Sequence, residues 1–172
     1  MSERKIDPQV SNFIQKLSGL DAADRARLKR NAGKTVAEAR GINLLIYRLL
    51  PPGLTPAQEE TYFLVATLYP LAAEAKRGNL GLSLRQAQKT TNRKGLDRRI
   101  EALLDAETSQ LPFRLRQTIH YLQSNRVPVD WACLLTDLLQ WNHPDRFVQK
   151  NWARAYYSTA EMNQNPSIST PA

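Results

Sequence analysis

Apolar residues recur along this chain at helical spacing. Val10, Phe13, Ile14 and Leu17 make one stripe, opened by Asp7-Pro8 and closed near Gly19. Asp21 caps a second helix, to about Asn31, that is nearly all surface: Arg25, Arg27, Lys29 and Arg30 stand against Leu28. Thr35-Val36-Ala37-Glu38 has capping-box spacing and predicts a third helix through Leu44, Leu45, Tyr47, Arg48, Leu49 and Leu50 to Pro51-Pro52, with Gly41 as a break in its middle. Thr55-Pro56-Ala57-Gln58 opens a fourth, running to about Tyr69 and Pro70. It is apolar nearly all round after Thr61, which predicts the buried centre of the N-terminal half. A basic turn from Glu74 to Leu80, a short helix over Gly81-Leu82-Ser83-Leu84-Arg85 and a polar loop from Lys89 to Gly95 follow.

The clearest periodicity runs from Arg93 to Trp152. Leu96, Ile100, Leu103 and Leu104 fall on one stripe; Arg98 points almost directly away from it and Arg99 lies on its shoulder. Pro112 suits the first turn of the next helix, which carries Leu111, Leu115, Ile119 and Leu122 inward and Arg114 and Arg116 on opposite flanks. Asp130 caps a helix burying Trp131, Leu134, Leu135, Leu138 and Trp141. His143-Pro144-Asp145 starts a last one, with Val148, Trp152, Ala155 and Tyr156 on one face. From Ser158 the polar composition predicts a disordered tail. With no sustained period-two alternation and no repeat, the expected fold is all-α, about eight or nine helices without a sheet. It divides into packed halves over residues 1–88 and 89–157, with a tail over 158–172.

Charge turns this scaffold toward a function. The chain of 172 residues has 24 Lys+Arg against 16 Asp+Glu, a net charge of +8 that favours polyanionic partners. The excess is local. Lys76, Arg77, Arg85, Lys89, Arg93, Lys94, Arg98 and Arg99 face only Asp97 between residues 76 and 99, whereas acids slightly outnumber bases from Asp130 onward.

Catalytic and metal signatures are missing from the sequence. His120 and His143 have no ligand spacing to each other or to Cys133, no Gly-rich phosphate loop is present, and no serine sits in a nucleophile elbow. Glu101 and Asp105, one turn apart, read as a helical surface. The expectation is a non-enzyme without cofactor or metal. Cys133 reads as a packed thiol, and with no apolar signal core and no run of about 18 apolar residues, a cytoplasmic protein away from membranes is expected.

Among nucleic-acid readings, a helix-turn-helix regulator finds a weak match at the Gly33 turn, because the segment after Val36 is too apolar to read bases. A single-strand stacking platform needs exposed aromatics among the basics. Trp131, Trp141, Trp152, Phe13 and Phe63 all fall on core faces, with Tyr121 and Tyr157 unassigned. Backbone tracking remains: cations spaced over a broad face, neutralising phosphates without reading sequence.

The residues also resemble a family. Gly81-Leu82-Ser83-Leu84-Arg85, Leu96-Asp97-Arg98-Arg99-Ile100 with Leu103-Leu104, Leu115-Arg116-Gln117, Val129-Asp130-Trp131, Leu134-Leu135 and Asp137-Leu138-Leu139-Gln140-Trp141, in that order, look like CasB, the small subunit of the type I-E CRISPR Cascade complex. Arg27-Leu28-Lys29-Arg30 and Tyr47-Arg48-Leu49 extend the likeness toward the N-terminus. The resemblance implies an all-α, non-catalytic subunit. It would pair with a second copy of itself beside other Cascade subunits and hold the guide RNA–target DNA hybrid and the displaced strand. It implicates Arg27, Lys29, Arg30, Arg85, Arg98, Arg99 and Arg116; local charge adds Lys34, Arg93, Lys94 and Arg114. Gln117 departs from relatives that place a second basic residue there. The alternative from another class is a structural spacer whose basic face meets acidic protein neighbours.

Overall fold

The computed structural model describes residues 5–76, 78–88 and 93–157. The tail from Ser158 and most of the Lys89–Gly95 loop, where the boundary between halves is expected, lie outside them, as does the side chain of Arg93. The described residues fold into helices α1 (Pro8–Ser18), α2 (Ala22–Arg30), α3 (Asn43–Leu49), α4 (Pro56–Leu68), α5 (Leu80–Gln88), α6 (Arg93–Leu104), α7 (Leu111–Ser124), α8 (Trp131–Leu138) and α9 (Phe147–Tyr157). The all-α expectation holds.

Local chemistry sets most helix starts. Asp7 accepts from the Gln9 N–H, Asp21 from Asp24 and Asp130 from Cys133, while Thr55 and Gln58 complete a reciprocal capping box. In α4 every side chain from Tyr62 to Leu68 is buried, and Pro70 turns its end into a single 3₁₀ turn over Tyr69–Leu71. The stripes expected on α1, α6, α7 and α8 are all buried save Leu104, and they join one core extending from Val10 to Tyr156.

Packing crosses the chain freely. Both α1 and α4 lie against α8, and α5 runs along α9. An isolated parallel bridge joins Glu74 to Val129, and Asp130, besides capping α8, accepts from the Gly78 N–H at 3.0 Å. The turn expected from Glu74 to Leu80 is thus partly an extended strut. A Cβ on Gly81 would overlap the carbonyl oxygen of Trp152, so α5 and α9 touch backbone to backbone there.

Three boundaries differ from the sequence reading. The helix expected from Val36 forms only from Asn43. Residues 36–38 make a turn in which Glu38 accepts from the Thr35 N–H at 2.8 Å, and Gly41, at φ +73°, interrupts any helix through it. Two donors at Thr35 hold the Glu38 carboxyl below its usual range. The last helix starts at Phe147, because Arg146 takes a left-handed φ of 51°. Helix α6 begins at Arg93, three residues early, which places Arg93 and Lys94 on its first turn.

Candidate nucleic-acid interface

The turn after α2 is held by side chains that sequence alone assigns to solvent. Asn31 is 3% exposed; its Nδ2 donates to the Arg27 and Arg40 carbonyls at 3.0 and 3.2 Å, and its Oδ1 accepts from the Arg40 N–H at 3.1 Å. Arg27 completes the clasp. Its Nε and Nη2 donate to the Gly41 carbonyl at 3.1 and 2.7 Å, and its Nη1 pairs with Asp24 at 2.9 Å. Asp24 also receives Arg48 at 3.2 Å. These contacts fold residues 31–42 back on α2 around an open pocket of about 450 Å³, lined by Arg27, Arg30, Asn31, Lys34, Arg40, Gly41 and Ile42. Four of the seven are cations and none is an acid.

Helix α7 meets this turn at Gly33. With φ +78°, Gly33 presents a bare backbone to the Arg116 side chain; a Cβ there would sit 2.9 Å from Arg116 Cδ. The arginine stem crosses the α2 turn and its head stays exposed. Further along α7, the Arg99 guanidinium of α6 lies 5.2 Å from the Tyr121 ring centroid. No acid occurs between Leu111 and Ser124. The α2 turn and α7 thus bring Arg30, Lys34, Arg40 and Arg116 together around Gly33, while α6 lays Arg99 on α7 at Tyr121. Among the described residues, no group of His, Cys, Asp and Glu is arranged to hold a metal ion.

A family model described as CRISPR-associated protein Cse2 matches residues 24–157. The chain belongs to the Cse2 family. It is 39% identical to the Cse2 protein of Thermus thermophilus over 111 residues, an alignment that spans 62% of this chain and 62% of that relative's length. Its fold matches M. ruber CasB with a TM-score of 0.74 at 29% identity, covering 91% of this chain and 96% of that one. A chain of a pre-nicking CRISPR RNA-guided surveillance complex matches with a TM-score of 0.79 at 27% identity, covering 90% of this chain and 94% of that one.

On this Cse2 scaffold the basic residues singled out from sequence take different situations. Lys29, Arg30, Lys34, Arg98 and Arg116 are exposed and pair with no acid among the described residues. Arg27 lies at the same site, but its guanidinium is occupied by Gly41 and Asp24. Arg99 stacks on Tyr121 and bridges neither Glu101 nor Asp105. Arg114 sits 5.8 Å from the Phe113 ring centroid. Lys94 is exposed on the first turn of α6, and Arg85 is partly buried on α5, away from the Gly33 junction in sequence. Sequence reasoning missed Arg40, whose Nη1 is tied to the Ala37 and Ala39 carbonyls at 3.0 and 2.8 Å. The signal available for it was its place before Gly41, a residue able to take the left-handed turn. Two aromatics that the periodicity does not single out, Tyr47 and Phe113, are 58% and 57% exposed.

Proposed function

We propose that this protein is a non-catalytic Cascade subunit that holds the guide RNA–target DNA hybrid and the displaced strand by sequence-independent phosphate contacts, in antiviral defence. The observation that carries the reading is the crossing of Arg116 over Gly33. It brings Arg116 to the turn that carries Arg30 and Lys34, cations far apart from it in sequence, and none of the three forms a salt bridge with a carboxylate among the described residues. The likeness to a chain of an RNA-guided surveillance complex supports the assembly. Replacing one duplex by another of similar stability is nearly balanced, so a few phosphate contacts suffice to bias it. Base pairing reads sequence, which leaves the protein free of base-edge readers. A second copy of the chain and other Cascade subunits complete the partners, and the halves 1–88 and 89–157 would present the basic surface jointly.

The test is binding of the purified protein to labelled single-stranded DNA, duplex DNA and RNA across a salt series. Sequence-independent binding that weakens steeply with salt is expected, with each phosphate contact adding about 0.7 to the slope for single strands. Charge reversal of Arg98 and Arg116 together should lower that slope by roughly 1.4. A spacer role has one observation in its favour: Leu44 on α3 is 88% exposed beside Tyr47, an apolar face of the kind that meets protein. A pure spacer would bind no bare nucleic acid at any salt.

A further inference from the structure

Resting on the reading that this surface meets nucleic acid, we infer that Phe113 stacks on an unpaired base of the displaced DNA strand, so the surface grips bases as well as phosphates. Phe113 lies on the side of α7 opposite Leu122, which is fully buried, and cannot reach the core from there. Phe113 is 57% exposed and is not among the side chains that join the core. Its neighbours are the ones a stacked nucleotide requires. The Arg114 guanidinium stands 5.8 Å from the ring centroid, and Arg116 lies one turn along the same outward face, with Gln117 and His120 beyond it, both exposed. Lys34 shares a cavity wall with Leu111 and Pro112 at the start of α7, and it also lines the basic pocket under α2.

An exposed aromatic ring with arginines beside it, on a helix without acids, is the arrangement by which proteins hold single strands irrespective of sequence. The displaced strand is the one whose base faces are open.

The experiment compares the full-length protein with Phe113→Ala and Phe113→Trp. The probes are an oligothymidine, an abasic strand of equal phosphate number and a DNA duplex, all at low salt, with circular dichroism and thermal midpoints showing that the variants fold. Phe113→Ala is expected to weaken oligothymidine binding roughly tenfold, leaving abasic-strand and duplex binding and the salt slope unchanged. Phe113→Trp should restore the oligothymidine affinity. The inference is overturned if the wild type binds the oligothymidine and the abasic strand equally, or if Phe113→Ala matches the wild type on all three probes; phosphate binding would survive either result. No wild-type binding to any probe would overturn the phosphate reading and the stacking together.

Discussion

A methyl group at Gly81 would meet backbone, since the added Cβ would lie 2.9 Å from Trp152 Cα as well as overlapping the carbonyl oxygen. Backbone cannot swing aside as a side-chain tip can. Gly81→Ala should therefore cost roughly 3 kcal/mol by overpacking, read as a fall in Tm of about 10 °C. Gly95, on the exposed start of α6, has nothing within 4 Å of the same added atom. Gly95→Ala should raise stability by about 0.5 kcal/mol through the unfolded chain's lost freedom. A second residue-level consequence concerns Tyr69. Burial first, then the hydrogen bond to Glu74 at 3.0 Å and the Glu74 charge, push its hydroxyl up to about 12 from 10.0, with nearby Arg25 opposing. The folded protein holds this proton more tightly than the unfolded one, so stability falls as pH rises from 10 towards 12. The advantage of the wild type over Tyr69→Phe, followed by denaturant melts, should shrink across that window.

At the level of elements, the turn from Asn31 to Ile42 shapes the basic pocket beside α2. Its shape depends on the three hydrogen bonds of one buried amide. Asn31→Ala should cost about 2 kcal/mol, because the Arg27 and Arg40 backbone groups lose their partner inside the fold. It should also weaken nucleic-acid binding, since Arg30, Lys34 and Arg40 share the pocket that this amide closes. The Asp24 ion pairs differ in weight. They are partly exposed, so Asp24→Asn should cost less than about 1 kcal/mol. The same change releases Arg27 and Arg48 from a carboxylate and should raise affinity for single strands at low salt, by filter binding or anisotropy. Much of α2 was legible beforehand: its cap, its charge and its solitary inward leucine are all local features. The turn beyond it was not, because capping-box spacing at Thr35–Glu38 is equally served by a single turn, and Gly41 decided between the two.

At the scale of the whole molecule, a net charge of +8 becomes useful by being placed. Acids fall largely where the fold uses them. Asp21 and Asp130 cap helices, Asp97 accepts from the Tyr156 hydroxyl at 2.6 Å and Asp137 from the Trp152 indole at 2.7 Å. Arg30, Lys34 and Arg116 are left exposed around the turn at Gly33. The exposed Leu44 and Tyr47 lie on a separate helix, so contact with protein and contact with nucleic acid can coexist on one chain. None of the described helices is long and apolar enough to cross a membrane.

Apart from the starts of α3, α6 and α9, helix positions, most caps and the buried stripes were determined by sequence alone, because each depends on neighbours within four or so residues. The arginines were a different matter. On sequence Arg27 and Arg116 are equivalent exposed cations; tertiary structure ties Arg27 to the Gly41 carbonyl, 14 residues away, and lays Arg116 across Gly33 with its head in solvent. Phe113 follows the same rule. A helical wheel marks it as outward, but only the fold shows that it stays 57% exposed with the Arg114 guanidinium 5.8 Å from its ring centroid. Local periodicity cannot contain that information, since a contact between segments depends on how helices distant in the chain pack on a shared core.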